Sequence, residues 1–226
     1  MSLKLYSHPL ASYCHKVLIA LYENGTPFTA LRVDLGDPQA RADFVALWPT
    51  GKMPVLRDDR SGRVVPESSI IIEYLDEHYP GSQPLLPRNP EARLDVRQWD
   101  RLFDHYVMEP MQMQVAQALR PEERRDQLAI AQAKATLDMA YELVDRQLAH
   151  KEWATGNAFS MADCAAAPAL FYASIVQPFP KSRRDLTQYF ERLMARPSVS
   201  RVLKEAQPYF DLFPMKHAIP ARFLHS

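Results

Sequence analysis

The stretch from Pro49 to Pro80, PTGKMPVLRDDRSGRVVPESSIIIEYLDEHYP, limits the fold more tightly than any other part of the chain. Two short β-type runs, Val55–Arg57 and Arg63–Val65, flank Asp58-Asp-Arg-Ser-Gly62. Turn-forming residues between two such runs predict a hairpin. A helix follows from about Ser68, with Ile71, Ile72 and Leu75 at helical spacing, and stops at Tyr79-Pro-Gly81. Met53-Pro54 opens the first run. Pro cannot donate to a strand ladder, and a cis peptide is a recurrent solution at such a place. That geometry would turn the N–H and C=O of Met53 outward, free to pair with an extended peptide. Pro66-Glu-Ser68 sets a carboxylate and a hydroxyl at a helix N-terminus. Free N–H groups and the helix dipole favour an anion there. Backbone pairing, an anion hole and a carboxylate for an ammonium together suit a small zwitterionic peptide.

The chain around this stretch is ordered. Leu3–Tyr6 reads as a strand, about Tyr13 to Asn24 as a helix, and Phe28–Val33 as a second strand. Asp37-Pro38 is an N-cap followed by Pro at the first helical position, so another helix runs to about Trp48. Ser82–Asn89 reads as a linker, and no convincing strand follows Pro90. The expected division is residues 1–81, a linker at 82–89, and an all-helical unit at 90–226. In that unit Glu91–Leu119 is a long helical pattern expected to bend at Pro110. Glu122–His150 is another, and Ser160-Met-Ala-Asp163 is a capping-box-like start for an Ala- and Leu-rich helix. Asp185–Ala195 and Pro197–Ala206 are shorter helices, and Tyr209–Ser226 is an irregular tail.

With Met-Pro before the hairpin, Glu-Ser after it and a long helical region beyond, the chain resembles the soluble glutathione S-transferases. The likeness is to the bacterial-type, serine-class-like members, and it covers essentially the whole length. It implies a thioredoxin-like β-α-β-α-β-β-α domain followed by an all-helical domain, hence an α/β unit joined to an all-α unit. It also implies a cytoplasmic homodimer in detoxification that conjugates the thiolate of glutathione, its co-substrate, to small hydrophobic electrophiles. Glu67 would then meet the γ-glutamyl ammonium. Ser68 and the helix N–H groups would meet its carboxylate, the Met53 backbone ahead of Pro54 would pair with the peptide, and Lys52 would meet the glycyl carboxylate.

A free thiol titrates near ~8.5, so only a few per cent is ionised at neutral pH. A donor to the sulfur favours the thiolate, each pKa unit being worth roughly 1.4 kcal/mol. In the family this donor lies in the loop after the first strand, here Ser7 to Val17. Families that use serine or cysteine place it six residues before the position of Val17, where this chain has Ala11. Ser12 is therefore the expected donor, its alternative role being the N-cap of the helix. Tyr6 resembles the tyrosine of other classes, its alternative being a packed strand residue. Cys14 lies in a first helical turn, where the dipole lowers a thiol pKa. Ala11-Ser-Tyr-Cys14 lacks the attacking cysteine of a Cys-x-x-Cys motif, and burial is the plainer reading. Leu10, Tyr106, Met111, Met113, Phe210 and Phe213 are the expected electrophile pocket, between the two domains.

Lys plus Arg and Asp plus Glu are 27 each, which gives no electrostatic reason to expect nucleic acid or an anionic membrane. Cys14 and Cys164 form no disulfide framework, and no His, Cys or Asp cluster suggests a metal. His8 and His15 are expected at the surface. Arg93, Arg97 and Asp100 are expected either at a dimer interface or in solvent. The uncharged run from Cys164 to Pro180 is interrupted by prolines and polar residues and reads as a buried helix. A glutathione-dependent isomerase or peroxidase would use the same peptide site. Ala11 also leaves open a non-enzymatic interaction module on the same fold.

Overall fold

A computed structural model describes residues 2–224. Alternation of apolar and polar residues sets the first strand, β1 (Leu3–Ser7), which buries every second side chain. It pairs in parallel with β2 (Thr29–Arg32) and antiparallel with β3 (Val55–Asp58), which pairs antiparallel with β4 (Arg63–Pro66). The sheet order is β2-β1-β3-β4. A parallel pair needs a crossover, and α1 (Ser12–Glu23) supplies it between β1 and β2. Helix α2 (Pro38–Leu47) starts as its sequence requires, with Asp37 accepting from the Ala40 N–H at 2.7 Å. Helix α3 (Ser68–His78) follows the hairpin.

The hairpin turn is fastened by Asp58. Its carboxylate accepts from the hydroxyls of Tyr74 and Tyr79, both at 2.7 Å, from the Arg60 N–H at 2.9 Å and from Ser61 Oγ at 3.1 Å. Burial raises the pKa of this group, but the hydrogen bonds from the two tyrosines, Arg60 and Ser61 outweigh it and hold the carboxyl at about 2. The segment expected to be a linker is anchored too: Asp76 accepts from the Leu85 N–H, and both Leu85 and Leu86 are buried.

Helices make up the rest. α4 (Pro90–Leu102) and α5 (Glu109–Ala118) replace the single long helix expected from the sequence. Between them Phe103–Met108 forms a π-helical turn. Pro110 is its sequence correlate: it has no N–H and its ring crowds the preceding turn, so regular α-helix ends before it. α6 (Gln127–Gln147) is capped by Asp126, which accepts from the Ala129 N–H at 3.0 Å. α7 (Met161–Val176) buries 14 of its 16 residues, which makes it the centre of the core. Among the described residues no helix is long and apolar enough to cross a membrane. At its start Asp163 accepts from the N–H and hydroxyl of Ser160 and from the hydroxyl of Tyr189. α8 (Arg184–Ala195) and α9 (Pro197–Ala206) precede three short 3₁₀ turns that carry Phe210 and Phe213 into the core.

Candidate active site

The register of β3 and β4 pairs Val55 with Pro66, so the residues flanking them, Pro54 and Glu67, lie at one end of the hairpin. The Met53–Pro54 peptide is cis, and the N–H and C=O of Met53 find no backbone partner among the described residues. Glu67 opens α3 with φ 65°, a conformation that a residue with a Cβ adopts at a cost. Its side chain does not cap the helix, and the first turn of α3 holds no acidic residue. The first-turn N–H groups therefore keep their positive field for an external anion. A cleft of 180 Å³ brings Lys52, Met53, Pro54, Glu67 and Ser68 together. Tyr13 at the start of α1 lines it as well, as do Arg101, Asp104, His105 and Glu109 from the helical half. Two cations and three carboxylates around one cleft match a zwitterion with charges of both signs.

Behind this cleft lies a buried ion cluster that the sequence reading missed. The Lys16 ammonium is fully buried, 2.6 Å from an Asp100 oxygen and 2.8 Å from an Asp104 oxygen. It also donates to Ser69 Oγ at 2.8 Å, and Ser69 donates to Asp100 at 2.7 Å. Arg101 closes the cluster from the solvent side through Asp100, Asp104 and Ser69. Burial raises the Asp104 pKa, Lys16 opposes that, and the neighbouring Asp100 adds to it. The cluster ties α1 and α3 to the helical half. Asp100 is 1% exposed, so it is neither solvated nor at an interface, as the sequence suggested. Arg97 is exposed, one of the two alternatives expected, and pairs with Glu73 of α3; Arg93 donates to the Pro87 carbonyl at 2.9 Å. The available signal was the one-turn spacing of Asp100 and Asp104 beside Trp99 and Phe103, with a lone lysine next to Val17 and Leu18.

A second cleft, of 380 Å³, is mostly apolar. Leu10, Met111 and Phe213 line it, with Ala11, Ser12, Gln112, Leu119, Tyr172 and Leu212. The other three residues expected there lie elsewhere. Phe210 is buried against Phe171, while Tyr106 and Met113 are exposed. Ser12 is not an N-cap: Ala11 occupies that position, and Ser12 is the first helical residue. Its hydroxyl accepts from Gln112 Nε2 at 3.2 Å, which leaves its proton free to be donated. Ser12 lines the apolar cleft and Tyr13 the polar one, so the two clefts adjoin at this peptide. Tyr13, read from sequence only as a helix residue, has a phenol whose pKa burial pushes up. Tyr6 lines neither cleft and packs on Phe44, ring centroids 6.2 Å apart.

One further expectation changes, that for His15, and the plainer reading of Cys14 as buried holds. His15 is buried, not exposed; burial lowers its pKa to about 4, and Nε2 of the neutral ring donates to the Pro9 carbonyl. Cys14 is buried, and desolvation pushes its thiol up to about 12, overriding any lowering by the helix dipole. Among the described residues no group of His, Cys, Asp and Glu is placed to hold a metal ion.

Comparison with known proteins agrees with this architecture. Residues 5–83 match the model of the glutathione S-transferase N-terminal domain, and residues 107–197 that of the C-terminal domain. The glutathione S-transferase GstB of Escherichia coli is 31% identical over 163 residues, covering 72% of this chain and 78% of that protein. The FtsZ-localized protein A of Caulobacter vibrioides is 29% identical over 225 residues, 94% of this chain and 95% of that one. A glutathione S-transferase of Methylobacillus flagellatus, solved with glutathione bound, superposes with a TM-score of 0.80 at 28% identity over 89% of this chain and 98% of that chain. The chain belongs to the glutathione S-transferase family.

Proposed function

We propose that the protein binds glutathione in the polar cleft and transfers its thiolate to small hydrophobic electrophiles held in the apolar one. The observation that carries this reading is the junction of the two clefts at Ser12–Tyr13. A peptide held by Met53, Glu67 and Ser68 presents its sulfur there. In this reading Glu67 meets the γ-glutamyl ammonium, Ser68 and the α3 N–H groups meet its carboxylate, and Lys52 meets the glycyl end. The Ser12 hydroxyl donates to the sulfur and favours the charged form. Calorimetric titration with glutathione, followed by thiolate absorbance at neutral pH, tests this. Binding with a thiolate signal that Ser12→Ala abolishes is the expected result. No binding at millimolar glutathione refutes the reading. A signal lost in Tyr13→Phe and kept in Ser12→Ala would move the donor role to Tyr13.

Ala11 at the N-cap of α1 favours a second reading, an interaction module that keeps the fold without the chemistry. The relative named FtsZ-localized protein A is consistent with it. No binding at millimolar glutathione would support it, whereas binding without thiolate formation would point to a weak enzyme or a carrier. An isomerase or peroxidase would share the peptide site and would turn over a cis-enone or a hydroperoxide without forming a conjugate. The reading includes a homodimer in the cytoplasm. Exposed Tyr106, Met139 and Leu143 line a groove that suits a second copy, and a monomer in sedimentation at micromolar concentration would remove that part.

A further inference from the structure

A groove of 680 Å³ on the helical half is larger than either cleft and shares no lining residue with them. The end of α7, one side of α8 and the 3₁₀ turns at Lys216–Ala218 and Ala221–Phe223 form its walls. Ile175 and Phe190 lie in its floor, 5% and 4% exposed. Phe179 packs edge-on against Phe190, ring centroids 5.2 Å apart, which fixes that floor. Arg184, Thr187, Gln188 and Glu191 recur every three or four residues, so α8 turns one polar, exposed row toward the opening. Charge at the rim is one-sided. Lys181, Arg184 and Arg222 line the groove, against Glu191 as the one acidic residue that does. Both Glu191 oxygens accept from Arg222, at 2.7 and 2.8 Å, and that guanidinium stands 4.7 Å from the centre of the Phe223 ring. Lys181 and Arg184 are exposed and make no ion pair among the described residues. Basic and acidic residues are 27 each over the whole chain, so this excess of positive charge is local.

We propose that the groove docks a segment of a partner protein in which acidic residues flank aromatic or aliphatic anchors. The anchors sit on the floor that Phe179 and Phe190 form, and the acidic residues face Lys181 and Arg184. This stands apart from the transferase reading and from the proposed glutathione site. The shape selects the kind of occupant. A small-molecule site encloses most of its ligand. Here the rim is exposed, so the mouth is closed only by the body that brings the anchors. A bilayer takes up apolar groups that protrude into it, whereas these lie in a floor. Apolar area at the centre supplies the affinity, and charge at the rim supplies on-rate and selectivity.

The test is fluorescence anisotropy with the full chain and a fluorescein-labelled probe peptide, Glu-Glu-Phe-Glu-Glu-Leu-Phe-Glu-Glu. The wild type should bind it with a micromolar Kd, and saturating glutathione should leave that value unchanged. Lys181→Glu with Arg184→Glu reverses two exposed charges, so the melting temperature should stay within a few degrees. The probe Kd should rise about 10-fold or more. Gln188→Glu adds a carboxylate to the same rim and should weaken the probe in the same direction, which keeps the test sound if the double variant fails to fold. A probe with Ser at the Phe and Leu positions should bind about 10-fold more weakly or worse. A wild-type Kd above about 1 mM, a Kd indifferent to the rim charges, or equal binding of the Ser probe overturns the proposal. Displacement by glutathione overturns it by placing the probe in the clefts. Displacement by 4-phenylbutyrate at the probe's own Kd overturns it in favour of a small anion. A sedimentation coefficient that falls in the charge-reversed variant overturns it in favour of a second copy.

Discussion

Replacing Lys16 by Met tests whether the buried ion cluster holds the two halves of the polar cleft in place. Lys16 and Arg101 balance Asp100 and Asp104, so the cluster is neutral as built. Methionine fills much of the lysine volume but leaves one negative charge in excess at carboxylates that are 1% and 3% exposed. Arg101 cannot compensate fully, because its side chain is 47% exposed and its charge is partly solvated. Removing one partner of a buried pair typically costs about 3–5 kcal/mol. A domain of ordinary stability, about 5–15 kcal/mol, would survive this but show it clearly. Urea unfolding at pH 7 measures the loss directly.

The pH dependence gives a second handle. Burial raises the Asp104 pKa in the folded state, so protonated Asp104 favours folding at low pH and the charged form costs stability above its folded pKa. Deleting Lys16 removes the attraction that opposes this and raises the pKa further. The deficit of Lys16→Met should be largest at neutral pH and shrink as pH falls toward about 4, the unfolded carboxylate range. Adding Asp100→Asn should recover part of the loss, a coupling outside additivity for residues in contact. A deficit near zero at pH 7, a deficit that grows on acidification, or strict additivity in the double variant would refute the reasoning.

Three other outcomes follow from single sites. Asp58→Asn should cost about 2 kcal/mol at pH 7, because the wild-type carboxyl is held near 2 against about 4 unfolded. That stability is present above the unfolded pKa and is lost between pH about 4 and about 2, so wild type and variant should converge in acid urea titrations. Glu67→Gly should stabilise the fold by about 1 kcal/mol, since relief of a φ 65° residue exceeds the added chain entropy of glycine. Its glutathione affinity should fall about 10- to 100-fold by calorimetry, the worth of a charge-assisted hydrogen bond. Ala11→Ser should raise the unfolding free energy by about 1 kcal/mol by capping α1, whose N-cap already has the extended backbone a cap requires. An unchanged melting curve would show that the start of α1 is satisfied in another way.

The sequence disclosed what depends on local rules. The Asp58–Gly62 turn, Asp37-Pro38 and Ser160 through Asp163 each state their structure within a few residues, and the cleft from Lys52 to Ser68 lies on one hairpin and its helix. What it did not disclose depends on partners far along the chain. Lys16 in a helix beside Asp100 and Asp104, 84 and 88 residues away, looks like three ordinary surface charges until α1 and α4 are packed together. His15 and Cys14 are both buried where α1 packs into the core, and only that packing shows that neither is available for acid–base or thiol chemistry. Tyr106 and Met113, two of the three residues that left the apolar cleft, failed for a related reason. Near Pro110 the π-helical turn adds residues to the backbone repeat, and a helical wheel drawn through it from Tyr106 to Met113 loses register.

The same turn, with the helix that follows it, supplies residues to both clefts of a chain that has Ala11 at the start of α1. The π-helical segment carries Asp104 and His105 to the polar cleft, and the helix that follows it carries Gln112 to Ser12. Because Gln112 donates to Ser12, the serine oxygen is held as an acceptor and its proton is directed elsewhere. The hydroxyl missing at Ala11 is thus matched by one displaced a single residue along the chain and oriented from the opposite domain. At the same place α1 begins without a side-chain cap, so its first N–H groups keep their positive field, which in the proposed reading would favour a sulfur anion. A scaffold that served only for docking would gain stability from a capping serine at position 11 and would have no use for an oriented one at position 12. In the proposed reading the arrangement favours chemistry over docking, and the thiolate signal of the wild-type protein decides between them.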